Sequence, residues 1–81
     1  MKFKRNQLVR WATEEECLAT KHTANVKGDN EPIYGSGPFK IIGINKILET
    51  YRLYCIKSDK FLPYNYYPWA LSLYRRSPNK L

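Results

Sequence analysis

Between Lys40 and Arg75 the chain alternates short β-rich runs with tight turns and ends on Pro68-Trp69-Ala70-Leu71-Ser72-Leu73, a Pro-x-x-Leu turn running into a last short strand. That stretch dictates a small sheet. Tyr51-Arg52-Leu53-Tyr54-Cys55-Ile56-Lys57 is the clearest strand, with Tyr51, Leu53 and Cys55 on one side and Arg52, Tyr54 and Ile56 on the other. Phe39 to Ile44 carries β-branched residues on both faces around Gly43, which predicts a strongly bent strand. Phe61 and Leu62 begin a return strand that Pro63 interrupts, so that strand is expected to lie at an edge or to break. Turns are expected at 35–38, 45–50 and 58–60.

Upstream, Leu8-Val9-Arg10-Trp11-Ala12 reads as a first strand with Val9 and Trp11 on one face. Thr13-Glu14-Glu15-Glu16 fits a capping box, in which the Thr13 hydroxyl accepts the Glu16 amide and the Glu16 carboxylate reaches back. One or two helical turns through Ala19 should follow. Thr20 to Gly37 has few apolar residues and ends in Tyr34-Gly35-Ser36-Gly37-Pro38, so it reads as a long loop. Residues 1–7 form a basic arm and 76–81 a frayed tail. The core is expected to draw on Val9, Trp11, Ile42, Ile44, Leu53, Cys55, Leu71 and Leu73. With 81 residues the chain allows one domain, at a size that buries only about 60 to 65% of the unfolded surface.

This order of elements resembles the Src-homology-3-like barrels, including the KOW and Tudor-like variants. The resemblance spans Leu8 to Leu73. It rests on Gly37-Pro38-Phe39-Lys40-Ile41-Ile42-Gly43-Ile44, on Tyr51-Arg52-Leu53-Tyr54-Cys55-Ile56 and on Pro68-Trp69-Ala70-Leu71. It implies a mainly β, five-stranded barrel with a long first loop, and a binding surface between that loop and the closing turn. The chain lacks the Ala-Leu-Tyr-Asp-Tyr run and the Trp-Trp pair of the proline-peptide-binding members, which argues against that ligand.

A net charge of +7 gives a positive field that attracts polyanions. Solubility alone also accounts for charge of this size. The cations fall on the arm (Lys2, Lys4, Arg5), on the strands (Arg10, Arg52) and at the end (Arg75, Arg76), while Glu14, Glu15 and Glu16 concentrate the acids. Phe61-Leu62-Pro63-Tyr64-Asn65-Tyr66-Tyr67-Pro68-Trp69 adds aromatic faces beside cations. Such faces stack bases or anchor a protein partner, and a small barrel also needs part of them for its core. Lys2, Lys4, Arg5, Arg10, Arg52, Tyr64, Tyr66, Tyr67, Arg75 and Arg76 are therefore the candidate contact residues.

Catalysis is not expected. His22 is the only imidazole, the three consecutive glutamates do not converge on one substrate, and Gly35-Ser36-Gly37-Pro38 lacks the Lys-Ser/Thr of a phosphate loop. Cys17 and Cys55 have no ligand-spaced neighbour, so neither a metal site nor a disulfide is predicted, and no cofactor is called for. No apolar run is long enough to span a bilayer and no apolar segment follows the basic start, so a cytoplasmic chain without a membrane contact is expected. Two partner classes stay open. One is nucleic acid, or a protein that handles it. The other is a host enzyme whose surface is occupied by an inhibitor or accessory protein of phage or mobile-element type, gripped by the long loop and the aromatic run. Either is compatible with a monomer or a weak dimer.

Overall fold

In the computed structural model, which describes residues 2–75, the predicted alternation resolves into five antiparallel strands. They are β1 (Leu8–Trp11), β2 (Phe39–Asn45), β3 (Thr50–Cys55), β4 (Lys60–Tyr66) and β5 (Leu71–Leu73), with two helices, α1 (Glu14–Ala19) and α2 (Val26–Tyr34), between β1 and β2. A 3-10 turn, Pro68–Ala70, leads into β5. The sheet order is β4-β3-β2-β1-β5. Arg76 and the expected tail, 76–81, lie outside the described residues.

The sheet is open rather than a closed barrel, because β4 and β5 are both edges and are not bonded to each other. Both edges are poor partners. Pro63 brings no backbone donor to β4, and the β3–β4 register slips between Arg52/Asn65 and Tyr54/Phe61, while β5 is only three residues long. The amino-terminal arm helps to close the core instead of hanging free. Phe3 is 2% exposed, meets the Tyr51 ring edge-on at 5.3 Å, and donates its amide to the Tyr51 hydroxyl at 2.9 Å.

One face of the sheet carries the core, built from Val9, Trp11, Phe39, Ile41, Tyr51, Leu53, Cys55, Leu62 and Leu71. Trp11 is its centre, 4.6 Å from the Phe39 ring and 5.2 Å from that of Tyr66, with its indole N–H donating to the Gly35 carbonyl at 2.7 Å. Five of the eight expected core residues are buried, Ile44 packs half-buried against them, and two, Ile42 and Leu73, need correction. Ile41 takes the place of Ile42, because a bulge between Ile41 and Gly43 sets two β2 steps against one step of β3. The slip also swaps the faces, so Ile44 comes round to Tyr51 and packs half-buried on the core. Leu73 stays 38% exposed, since β5 ends there at the sheet edge.

The capping box at Thr13 forms as expected, with the Thr13 hydroxyl accepting from the Glu16 amide and Glu16 reaching back to the Thr13 amide. The long loop does not stay irregular. Its second half is α2, capped by the Asn25 side chain on the Gly28 amide and packed through Val26 and Tyr34 against the core. Cys17 and Cys55 are buried free thiols that fill core volume. Among the described residues no helix is long and apolar enough to cross a membrane.

Candidate nucleic-acid interface

Alternation that puts Leu53 and Cys55 inward turns Arg52 and Tyr54 outward, onto the sheet face that the core does not use. Cross-strand pairing then assembles rows on that face. Gly43, Arg52 and Asn65 form one row, and Lys40, Tyr54 and Phe61 the next. Gly43 leaves the first row without a side chain beside Arg52, and a shallow depression of about 660 Å³ opens there. Arg5 from the arm, Lys46 from the β2–β3 turn and Arg52 converge on it, with Asn45 and Asn65 between them. No acid lines it. Cations gathered around one hollow without an acid make a local positive field that attracts an anion.

The hairpin that supplies Lys46 is shaped by Asn45, whose side-chain oxygen accepts the Ile47 and Leu48 amides at 3.1 and 3.0 Å. Glu49 turns the chain back with φ of 57°. In the neighbouring row the Phe61 ring lies 5.1 Å from that of Tyr54 and is 66% exposed. The Tyr54 hydroxyl donates to Asp59, which fixes its ring and raises its pKa above the usual tyrosine value.

The remaining candidates divide between structural and surface positions. Arg10 is committed: its guanidinium grips both Glu16 oxygens at 3.0 and 2.9 Å and also donates to the Trp11 carbonyl. The Ser72 hydroxyl donates to the same carboxylate at 3.0 Å, so β1, α1 and β5 are tied at one point. Lys2 and Arg75 line the depression around this cluster, together with Glu16. Lys2 also sits 5.1 Å over the Phe3 ring, and Lys4 is exposed. Tyr66 is half-buried against Trp11, where its ring packs on the core, and burial pushes its hydroxyl up to about 12. Tyr64 and Tyr67 are 63% and 52% exposed. Tyr67 continues a ladder in which the His22 imidazole stacks on Trp69 at 3.9 Å and Trp69 runs parallel to Tyr67 at 6.3 Å. His22 is thus a packed ring on the Trp69 face. Lys46 and Lys40 were not singled out by the sequence, because only strand register reveals which cations share a face.

A second depression, of about 430 Å³, lies between the end of α2 and the β3–β4 hairpin, where Ile33, Gly37, Phe61 and Pro63 meet Lys57 and Lys60. No group of three or more His, Cys, Asp or Glu side chains converges among the described residues. Comparison with protein-family models, curated proteins and solved structures finds no match.

The Arg10–Glu16 cluster makes acid sensitivity a stability property. The Arg10 hydrogen bond, aided by the Thr13 amide and the Ser72 hydroxyl, lowers the Glu16 carboxyl from its usual value to about 2. A depressed carboxyl pKa stabilises the fold above the unfolded value and loses that contribution as pH falls toward the folded one. Both side chains are more than a third exposed, so screening holds the effect to about 1 kcal/mol. Thermal melts should therefore show stability falling between about pH 4.5 and 2, with a Glu16→Gln variant less stable at neutral pH and flatter across that window. Equal pH dependence in the two proteins would assign the acid response to other carboxylates.

Proposed function

We propose that this chain is a non-enzymatic binding module of Src-homology-3-like type whose partner is nucleic acid, held by its phosphates in the Arg5–Lys46–Arg52 depression. The observation that carries the reading is the convergence of three cations from three separate segments on one acid-free hollow. A strand order of β4-β3-β2-β1-β5 with a 3-10 turn ahead of β5 supports the fold part of the proposal. Net charge of +7 supports the polyanion part, because long-range attraction raises the encounter rate.

Titration of fluorescent oligonucleotides at several salt concentrations tests it. Three phosphate contacts predict a log–log salt slope of about −2 on a single strand, from about 0.7 per contact. No binding at low salt would end the proposal. A second reading, docking on a partner protein, draws on the cleft between α2 and β4, where Ile33 is 69% exposed beside Lys57 and Lys60. Salt-insensitive capture of a protein together with indifference to oligonucleotides would select it.

A further inference from the structure

The two outward rows of the sheet differ in chemistry in a way that specifies the form of nucleic acid. Arg52 and Tyr54 are successive outward residues of β3, so the cationic row and the aromatic row lie about 6.6 Å apart along the strand. A short single-stranded segment can span the two rows. Phe61 presents an exposed ring at the β4 edge, with Tyr54 behind it and Lys40 on the other side of Tyr54. Asp59, the acid at that end, sits in the hairpin tip and is held by the Tyr54 hydroxyl. An exposed aromatic ring one row along the sheet from an acid-free cationic hollow offers a stacking surface on the same face as a phosphate seat.

We infer that the ligand is a single-stranded nucleic acid, seated with a phosphate over Arg5, Lys46 and Arg52 and with an unpaired base stacked on Phe61; this rests on the phosphate reading above and adds to it. Duplex is disfavoured by the same geometry. Paired bases are stacked on one another and offer no open face, so a duplex reaches the cations but leaves Phe61 idle. Stacking is indifferent to base identity, because every base has a π-face, so weak sequence preference follows. Asn65, beside Arg52 in the first row, supplies an amide within the same hollow for the sugar or base edge.

The test compares the wild-type chain with Phe61→Leu and Phe61→Trp on a short single-stranded oligonucleotide, on the duplex of the same sequence, and on inorganic polyphosphate, which has charge but no bases. Phe61 is largely exposed at an edge, so both variants should fold, and a thermal melt checks this. Wild type should prefer the single strand over the duplex. Phe61→Leu should weaken single-strand binding roughly 5- to 150-fold, the range of one base stack, without changing the salt slope, while Phe61→Trp restores it. Duplex and polyphosphate binding should not respond to either change. Equal single-strand affinity in wild type and Phe61→Leu, or no preference over duplex, would overturn the inference while leaving phosphate binding in place. Loss of binding to all three probes in the wild type would remove both.

Discussion

Trp11→Ala should leave little folded protein near physiological temperature. A domain of this size has about 4 to 12 kcal/mol of stability in total, from roughly 0.05 to 0.15 kcal/mol per residue. Removing a buried tryptophan costs about 3 to 5 kcal/mol when the cavity does not collapse. Trp11 is 2% exposed and sits among Phe39, Tyr66 and Tyr34, rings that come from β2, β4 and α2 and cannot all close on the gap together. The melting temperature should drop by roughly 4 to 8 °C per kcal/mol, so a fall of more than about 12 °C is expected by circular dichroism. Trp11→Phe separates two contributions. It keeps an aromatic ring in the core but strips the Gly35 carbonyl of its indole donor, a loss of about 1 to 3 kcal/mol if that carbonyl is shut away from water. Its damage should concentrate at the end of α2, read as faster amide exchange there than in β2 and β3. A small, uniform effect from Trp11→Ala would mean that the core is not organised around this ring.

What the sequence revealed and what it hid follows from how local each determinant is. Thr13-Glu14-Glu15-Glu16 was legible because a capping box is complete within four residues, and β3 was legible because its two faces differ in polarity. Helix α2 was not legible: Gly28 and Pro32 interrupt it, and its packing rests on Val26 and Tyr34, too sparse for a periodic signal. The β2 bulge was hidden for the opposite reason. Ile41, Ile42 and Ile44 make both faces apolar, so alternation says nothing about which residue faces inward, and register against β3 decides it. Phe3 looked like part of a basic arm because its partner, the Tyr51 hydroxyl, is 48 residues away. Barrel closure failed as an expectation because element order fixes which strands are neighbours but not whether the last two edges meet.

The site divides along the same line. Arg5 and Arg52 are candidates from charge and aromatic context, and the structure sets them around one hollow with Lys46, which joins them only through the hairpin turn, while the Arg10 guanidinium is engaged by Glu16. Tyr66 packs on the core by long-range pairing against Trp11. Phe61 stood within the aromatic run and alternation about the buried Leu62 already turns it outward, but its pairing with Tyr54, in the row next to that of Arg52, follows only from the β3–β4 register.

Replacing Arg5, Lys46 and Arg52 together with glutamine should abolish most nucleic-acid binding while leaving the protein folded. Each phosphate contact on a single strand contributes about 0.7 to the log–log salt slope, so the slope should flatten by about 2 and low-salt affinity should fall on the order of a hundredfold. Stability should hold because the salt bridge found among the described residues joins Arg10 to Glu16, and the three replaced cations share a hollow without an acid. Arg10→Gln removes a single cation and should behave in the reverse way. It breaks the bidentate contact with Glu16, should lower the melting temperature by the equivalent of about 1 kcal/mol, and should leave the salt slope near that of wild type. Opposite responses of the two variants in the two measurements would separate cations that hold a ligand from one that holds the fold. If the triple variant keeps the wild-type slope, the phosphates lie elsewhere on the surface and the Arg5–Lys46–Arg52 hollow is not their seat.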